Sequence, residues 1–322
     1  MSNFDKIAGF KELIRKTLVP KIDSDYVLLD LPNHSNIGDN LIWEGELQFL
    51  KEIKYKCIYS ANVHNWEEDK IQDAKIILFH GGGNWGDLYR ECQVLRMYIV
   101  NKYPNKRIIV FPQTVWYNNE SLLKEDCDII NKHNDLHICV RDKHSLEILG
   151  KYVDKNKLYL LPDMAFFLDV KHNAPSTSKT LYMLRKDTEV CNRSVEINCC
   201  NDIKDWPTFN NNKYVLYASR VLFMYNIKLS KFMQRTSVLK CFVDPTYGIN
   251  RRNNRERYIT MGINFFSKYT TIYTTRLHGL ILGIIMQKHM IIVDNKYNKC
   301  RDFYDTWLQD FDNVSFFPPE SN

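Results

Sequence analysis

Residues 75–89 read KIILFHGGGNWGDLY, an apolar run followed by a glycine-rich turn and the beginning of a helical pattern. A short apolar run bounded by turn residues is typical of a buried strand, and this order of strand, turn and helix recurs along the chain. The other apolar runs of the first half are YVLLD at 26–30, CIYS at 57–60, RIIVFP at 107–112 and LHICVR at 136–141. Helical periodicity fills the intervals at 39–52, 88–103, 118–133 and 142–150. The alternation predicts an α/β fold, with helices on both faces of a parallel sheet.

A polar segment separates this pattern from a second pattern of the same kind. KHNAPSTSKT at 171–180 contains proline and small residues and is the best linker candidate. Beyond it, strands are predicted at LYML, YVLYASR, LKCFVDP, TIYTT and MIIVD, with helices near 221–236, 253–268, 275–287 and 300–310. We therefore expect two Rossmann-like domains, 1–172 and 173–322, facing a cleft. In such sheets ligands bind beyond the carboxyl ends of the strands.

Composition excludes several classes of protein. The net charge of +6 is modest, and the interleaving of basic and aromatic residues that is typical of RNA-binding proteins is absent, so no nucleic-acid partner is expected. The nine cysteines show no CxxC pair or zinc-finger spacing, and neither a disulfide framework nor a metal site is expected. The amphipathic beginning predicts no signal peptide, and no apolar run reaches membrane-spanning length. We expect a cytoplasmic protein, with at most peripheral membrane contact through the amphipathic stretch FKELIRKTLVPKI.

The stretch TTRLHGLILGIIM at 274–286 places Arg276 and His278 at the beginning of an apolar helix that follows a short strand. Helix-start amides, a guanidinium and an imidazole at one point suit a small anion with several charges. The alternative is that Arg276 forms a surface ion pair and His278 only packs or caps.

Two further arginines end predicted strands. Arg141 closes LHICVR, and Arg185 has the corresponding place in LYMLRKDTE. Forked guanidinium groups bind carboxylates and phosphates through paired hydrogen bonds. Because no GxxxxGK[ST] sequence is present, arginines are the expected anion ligands.

The glycine-rich turn after the strand at 75–80 is compatible with several activities. Gly81, Gly83 and Gly86 satisfy GxGxxG, but the next strand ends in Phe-Pro-Gln without the acidic residue of a dinucleotide site. HGGG also resembles an esterase oxyanion loop, but no GxSxG nucleophile sequence occurs. What remains is a loop that lets a ligand approach the backbone, with Asn84 and Asp87 placed to bond it. Asp87 has the alternative role of a helix cap.

The loop after the first strand, NHSNIGDN at 33–40, is dense in hydrogen-bonding groups. Gly38 suits a tight turn, and Asp39 or Asn40 is available to cap the following helix. Polar groups at the end of a first strand also commonly face a ligand, so we take this loop as part of the site. Asp163, in LLPDMAF, is open to two interpretations, a bond to a sugar hydroxyl or the end of a strand.

Six motifs occur in order: NIGDN, HGGGNWGDLY, RDKHS, LRKDTE, TTRLHGLILG and DNKYNKCRDFYDTW. Together they resemble the polysaccharide pyruvyl transferase family, over about residues 25–310. The resemblance implies a fold like that of the two-domain GT-B glycosyltransferases. It also implies transfer of pyruvate from phosphoenolpyruvate to a sugar hydroxyl pair, which gives a pyruvate ketal on a capsular, exopolysaccharide or cell-wall glycan precursor. The matching Arg276, Leu277 and His278 then bind or activate the donor, and the first half faces the acceptor through Asn36, Gly81, Gly82, Gly83 and Asn84.

The chemistry of this reaction assigns further roles. The methylene carbon of phosphoenolpyruvate must gain a proton, and histidine is the side chain whose ordinary pKa is nearest neutrality, so His278 is the expected donor. A carboxylate is needed to orient or deprotonate the hydroxyl, and Asp39 or Asp87 could serve. Arg141 and Arg185 join Arg276 around the donor.

Other functions remain open at this point. A nucleotide-sugar-dependent glycosyltransferase would have the same fold, and a catalytically silent sugar- or nucleic-acid-binding module is the rival outside enzymology. No cofactor is expected besides phosphoenolpyruvate as co-substrate. The acceptor sugar, its hydroxyl pair, its attachment to a lipid and the oligomeric state stay undetermined.

Overall fold

Two parallel β-sheets flanked by helices organise the part of the chain that the structure describes. The structure is a computed structural model, and it describes residues 2–170, 179–185, 202–209, 254–293 and 297–317, together with Tyr217, Val221, Tyr225, Lys228, Leu229, Phe232 and Met233. The strands of the first sheet lie between residues 26 and 160, and those of the second between 179 and 316. The α/β class with parallel sheets predicted from the sequence is confirmed.

The first sheet has the order β2-β1-β3-β5-β6-β7, and β4 pairs with β5 beside this path. Its strands are β1 (Tyr26–Leu29), β2 (Cys57–Ser60), β3 (Ile76–Phe79), β4 (Gly82–Gly86), β5 (Arg107–Trp116), β6 (Leu136–Val140) and β7 (Leu158–Leu160). The chain moves outward from β1 in one direction to β2 and in the other to β3. The loops after β1 and β3 therefore diverge at the point where α/β sheets bind ligands.

The second sheet has the order β12-β11-β10-β8-β9 among the described strands. These are β8 (Lys179–Met183), β9 (Asp202–Lys204), β10 (Tyr269–Thr274), β11 (His289–Ile292) and β12 (Val314–Phe316). Here the order reverses between β8 and β10. Arg185 follows the first of these strands and Arg276 follows the second, so both arginines lie at the equivalent position of this sheet.

Helices connect the strands and cover the sheets. Those described are Asn3–Leu18, Ile37–Leu50, Asp69–Gln72, Arg90–Lys102, Glu120–Lys132, Lys143–Gly150, Asn254–Phe266, Leu277–Ile285 and Lys299–Trp307. Two of them begin at capping side chains: Asn36 accepts from the Gly38 amide at 3.0 Å, and Asp142 accepts from the Ser145 amide at 2.7 Å. The predicted cap of the helix Ile37–Leu50, Asp39 or Asn40, is wrong, because both residues lie inside the helix. Within the described residues, no helix combines the length and the apolar character needed to cross a bilayer.

The glycine-rich turn departs from the prediction that it leads directly into a helix. Residues Gly82–Gly86 form β4, and the helix begins only at Arg90. Gly86 has a φ of +115°, and a β-carbon there would lie 1.8 Å from the Trp116 carbonyl oxygen. Glycine therefore allows β4 to lie close against the end of β5, and β5 extends to Trp116 instead of ending at the predicted residue 112.

Other boundary predictions in the second half have mixed outcomes. Lys179 and Thr180 belong to β8, so the predicted linker ends two residues too late, and its residues 171–178 lie outside the described part. The predicted strand at 214–220 is wrong at Tyr217, which is helical, and its other residues are also outside the described part, as is LKCFVDP. The short strands β9 and β12 were not predicted.

The hydrophobic cores of the two sheets join around the helices Asn3–Leu18 and Ile37–Leu50. Phe10 of the first helix packs on Trp307 and Phe311, with ring centroids 5.5 and 5.9 Å away. Ile37 and Leu41 of the second helix lie in the same buried cluster as β8 and β10 residues. These contacts hold the loops at the carboxyl ends of both sheets against each other.

Candidate active site

A cavity of about 540 Å³ lies where the loops at the carboxyl ends of the two sheets meet. From the first sheet and its loops, its walls include Asn36, Asp39, His80, Gly81, Gly83, Asn84 and Arg141. From the second they include Arg185, Trp206, Arg276, Leu277, His278 and Lys299. The structure thus brings most of the sequence-predicted site residues to one space.

Arg276 is held in place by a carboxylate that sequence reasoning missed. Its Nε donates to Asp205 Oδ1 and its Nη2 donates to Asp205 Oδ2, each at 2.6 Å. Its guanidinium carbon lies 4.9 Å from the ring centre of Phe209. Asp205 is buried, and it precedes Trp206 in a segment without a recognisable motif. The paired bonds fix the plane of the guanidinium at the wall of the cavity.

His278 contacts two residues of the first sheet's loops. Its Nε2 lies 3.2 Å from Arg141 Nη1 and 3.4 Å from Asp163 Oδ2, and Arg141 Nη1 donates to the same Asp163 oxygen at 2.7 Å. Neutral His278 can accept from Arg141, and protonated His278 can donate to Asp163. The cluster therefore supports either protonation state of the imidazole.

Asp163 is fully buried beneath this cluster. Burial alone would raise the pKa of its carboxyl, but the hydrogen bond from His278 and the charge of Arg141 outweigh it and hold the pKa below its ordinary value. The sequence left two interpretations of Asp163 open, a bond to a sugar hydroxyl and a role only as the end of a strand. The contacts of Asp163 support neither. It joins an arginine and a histidine from opposite sides of the cavity.

Asp39 faces the same cavity from the first turn of the helix Ile37–Leu50. Its Oδ2 accepts from Asn36 Nδ2 at 2.6 Å and lies 3.6 Å from His34 Nε2. Burial would raise the pKa of Asp39, but the nearby His34, His278, His80 and Arg141 together lower it. An ionised carboxylate is thus available to accept a hydrogen bond from a ligand.

Asp87 does not reach the cavity. Its Oδ2 accepts from the backbone amides of Asn118 and Asn119 at 2.7 and 2.8 Å, which ties the turn before the helix Glu120–Lys132 to the glycine loop. Its position supports the structural role that the sequence left open. Of the two carboxylates considered, only Asp39 lies at the cavity.

The predicted acceptor loop is placed unevenly. Gly81 and Gly83 line the cavity, whereas Gly82 packs its backbone against Ile42. Asn84 also lines it, and its amide donates to Asp30 Oδ2 at 3.0 Å and accepts from Arg96. Buried polar contacts behind the loop therefore fix its conformation.

Two more cavity residues had no role in the sequence interpretation. His80 belongs to the glycine motif and Lys299 to the motif DNKYNKCRDFYDTW, but neither motif assigns these residues a function. A β-carbon at Gly83 would lie 3.9 Å from Lys299 Nζ and 3.2 Å from Arg141 Nη2, so an ammonium and a guanidinium both border this glycine. The cavity is cationic at this point.

No group of three or more histidine, cysteine, aspartate or glutamate side chains suited to a metal ion occurs within the residues that the structure describes. Arginine and lysine groups, imidazoles near buried carboxylates and the ionised carboxylate of Asp39 instead line the cavity. This arrangement suits a transferase that binds a small anion and moves a proton on it.

Comparison with known proteins identifies the family. A family model described as polysaccharide pyruvyl transferase matches residues 36–297, a range that includes cavity residues of both sheets, from Asn36 to His278. The chain therefore belongs to the polysaccharide pyruvyl transferase family, as its motifs predicted.

Individual relatives agree with this assignment. The chain is 33% identical over 309 residues to a Bacillus subtilis protein named "Putative pyruvyl transferase EpsO", covering 94% of this chain and 90% of the relative. It is 25% identical to pyruvyl transferase 1 of Schizosaccharomyces pombe, covering 87% and 69%. A crystal structure of a functionally uncharacterised Klebsiella pneumoniae protein aligns over 98% of this chain and 99% of the other, with a TM-score of 0.58 and 17% identity, and shows the same fold.

Proposed function

We propose that this pyruvyl transferase uses phosphoenolpyruvate as donor and forms a pyruvate ketal on two hydroxyls of a sugar. The acceptor is a precursor of a capsular, exopolysaccharide or cell-wall glycan. The observation that carries the proposal is the shared cavity, in which Arg276 and His278 of the second sheet face Asp39 and Gly81 of the first.

The cations of the cavity match the charges of phosphoenolpyruvate. The donor has a carboxylate and a phosphate, and Arg276 with its fixed guanidinium suits paired bonding to either group. Arg141 and Lys299 border Gly83, and Arg185 lies next to the end of β8; all three line the same cavity as Arg276. Several cations are thus available for the two charged groups of one donor.

His278 is the proposed proton donor. Its proton passes to the methylene carbon of phosphoenolpyruvate, the adjacent carbon gains positive character, and a sugar hydroxyl attacks that carbon. Phosphate leaves, and the second hydroxyl closes the ketal ring. Asp163 Oδ2 can accept a hydrogen bond from the imidazole before transfer, and Arg141 can donate one to it afterwards.

The acceptor side of the proposal lies in the first sheet's loops. Asn36, Gly81, Gly83 and Asn84 face the cavity, and Asp39 can accept a bond from an incoming hydroxyl. We assign acceptor binding to residues 1–172 and donor binding to residues 173–322 together with Arg141, in a fold of the GT-B kind. The reaction needs no cofactor, and we place it in the cytoplasm, at most peripherally on the membrane if the acceptor is lipid-linked.

One assay tests the proposal. Release of inorganic phosphate from phosphoenolpyruvate is measured with a panel of galactosides, glucosides and N-acetylmannosaminides, and the ketal is detected by mass spectrometry. Phosphate release that depends on one acceptor class supports the proposal. In parallel, the melting temperature is measured with phosphoenolpyruvate and with UDP-sugars, since a ligand of the folded state raises it. Stabilisation by a UDP-sugar alone, without phosphate release, would favour the glycosyltransferase alternative.

A further inference from the structure

A buried histidine and glutamate lie behind the glycine loop, at the end of β3. Glu46 Oε2 lies 2.8 Å from His80 Nδ1, and Glu46 Oε1 accepts from the Gly81 amide at 2.7 Å. Glu46 is fully buried, while His80, with 3% of its surface exposed, lines the cavity. The pair has no part in the mechanism described so far.

The contacts of Glu46 decide which nitrogen of His80 holds the proton. A carboxylate next to Nδ1 accepts a bond from it, so the proton resides on Nδ1 and Nε2 is left as an acceptor. The backbone of His80 is also fixed, because its amide donates to Leu29 at 3.0 Å and its carbonyl accepts from Gln113 Nε2 at 2.8 Å. The ring is therefore held in one orientation at the cavity wall.

We propose that His80 is the general base that accepts the proton of the attacking sugar hydroxyl, and that Glu46 is its positioning residue. The inference rests on the proposed function and adds the group that completes it. His80 directly precedes the glycine loop, so the proposed base lies on the acceptor side, while His278 acts from the donor side.

The proton balance of the reaction fits two histidines. The first hydroxyl forms its C–O bond as its proton passes to His80 Nε2, and His278 gives one proton to the methylene carbon. The C–O bond to phosphate then breaks, and the second hydroxyl attacks the same carbon and closes the ring. The proton of this second hydroxyl leaves on the phosphate. Return of the proton from His80 to His278 resets the site, so the two hydroxyl protons end on the new methyl group and on phosphate.

His80 is better suited than Asp39 to this role. Burial lowers the pKa of His80, but the charge and hydrogen bond of Glu46 outweigh the burial, and Asp30 and Asp39 act in the same direction, so the pKa is raised. The pKa of Asp39 is lowered. A carboxylate with a lowered pKa is a weak base, although it can still orient a hydroxyl. An imidazole with a raised pKa is a stronger base and accepts a proton more readily.

The variant Glu46→Gln tests the pair without removing its structural contacts. The glutamine oxygen can still accept from the Gly81 amide, but its nitrogen faces Nδ1 and moves the ring proton to Nε2. An analogous carboxylate-to-amide change in a serine protease lowers kcat by roughly 10⁴ through the wrong tautomer. We expect kcat to fall at least about a hundredfold, with an unchanged phosphoenolpyruvate-induced rise in melting temperature.

A second variant removes the base itself. In His80→Asn the side-chain nitrogen can still donate to Glu46, but the atom that faces the substrate is gone. We expect a similar loss of kcat and the disappearance of the acid limb of the pH profile of kcat/KM for the acceptor. The matched control is His137→Asn, whose ring is paired with Asp135 at 2.8 Å and does not line the cavity, and we expect it to keep wild-type turnover.

The outcomes separate the two proposals. A wild-type protein that releases no phosphate from phosphoenolpyruvate with any acceptor overturns the proposed function, and with it the base role of His80. An active wild type with Glu46→Gln and His80→Asn turning over within threefold of it overturns only the inference. Nitrogen-15 NMR of the wild type adds a readout independent of activity, because a neutral His80 with its proton on Nε2 also overturns it.

Discussion

Gly38 lies directly against the ring of His278: a β-carbon at residue 38 would stand 2.7 Å from Nδ1 of the histidine. The glycine is in the first turn of the helix Ile37–Leu50, and the histidine is in the first turn of the helix Leu277–Ile285 beside the second sheet. The first helix therefore limits His278 on one side, and Asp163 and Arg141 contact it through Nε2. The position of the proposed proton donor is set by residues of the other sheet.

Gly38→Ala is expected to displace His278. The added methyl group has no room unless the ring or the helix moves, and overpacking of this kind costs about 1–3 kcal/mol of the free energy of unfolding. A misplaced catalytic group also loses rate, and we expect kcat to fall at least about tenfold. The measurements are phosphate release and chemical denaturation.

The matched control is Gly9→Ala, in the helix Asn3–Leu18, where no atom lies within 4 Å of the added β-carbon. It should stabilise the protein slightly and leave kcat unchanged. A Gly38→Ala enzyme with wild-type kcat would show that the ring of His278 does not need this position.

The same contact shows what the sequence could and could not predict. The strands β1, β2, β3 and β6 formed almost where the apolar runs stand, because a local pattern specifies them. The tight turn predicted at Gly38 is wrong, because this glycine lies in the first turn of the helix Ile37–Leu50. The contact with His278 joins residues far apart in the chain, and no local pattern encodes it. Asp205 and the bridging role of Asp163 were missed for the same reason.

The arginines were found through a rule of the fold. In parallel sheets the residue after a strand lies at the ligand-binding edge, so Arg141, Arg185 and Arg276 could be placed from the strand pattern alone. Asp87 satisfied the same rule of position but bonds the turn at 118–119 instead. The strand pattern placed Asp87 at the correct edge of the sheet. The direction of its side chain depends on strand β4, which was not predicted.

His278→Ala is expected to lower kcat by about a hundredfold or more, the usual effect of losing a general acid. The KM for phosphoenolpyruvate should change less, because the arginines and Lys299 remain. Steady-state phosphate release measures both values. His289→Ala, at an exposed position at the beginning of β11, serves as the control with unchanged kcat. Equal rates for the two variants would remove His278 from proton transfer.

Arg276→Lys is expected to act mainly on donor binding. Lysine keeps the positive charge but cannot make the paired bonds to Asp205 and to an anion at once. We expect the KM for phosphoenolpyruvate to rise at least about tenfold, the loss of one good charge-assisted hydrogen bond. The exposed Arg257→Lys is the control. An unchanged KM in Arg276→Lys would mean that the donor does not contact this guanidinium.

Asp205→Asn tests whether the orientation of Arg276 matters separately from its charge. The amide can accept one bond where the carboxylate accepts two at 2.6 Å, so the guanidinium is left intact but less constrained. We expect weaker phosphoenolpyruvate binding by calorimetry, in the same direction as in Arg276→Lys, with kcat at saturating donor reduced less than in His278→Ala. Donor binding equal to that of the wild type would limit Asp205 to a role in stability.

Asp163→Asn is expected to change both stability and its dependence on pH. Removing the charge leaves Arg141, with 2% of its surface exposed, without its buried carboxylate, and breaking a buried pair costs about 3–5 kcal/mol. Because the folded pKa of Asp163 lies below its ordinary value of 3.8, its contribution is complete above that value and is lost as the pH falls through the folded pKa. Wild type and variant should therefore differ by a constant amount above about pH 4, and the difference should shrink as the pH falls below that value towards the folded pKa.

Urea denaturation over a series of pH values measures this convergence, and Asp69→Asn, at an exposed position, provides a control that should follow the wild-type curve. A difference between wild type and Asp163→Asn that stays constant down to the acid range would mean that the carboxylate is not stabilised by Arg141 and His278. If the stabilities of wild type and Asp163→Asn converge as expected and the variant also has a reduced kcat, the buried charge that joins the two sides of the cavity is also used by the reaction. The reason is that the Asp163 oxygen that stabilises the fold also faces the imidazole that gives up the proton.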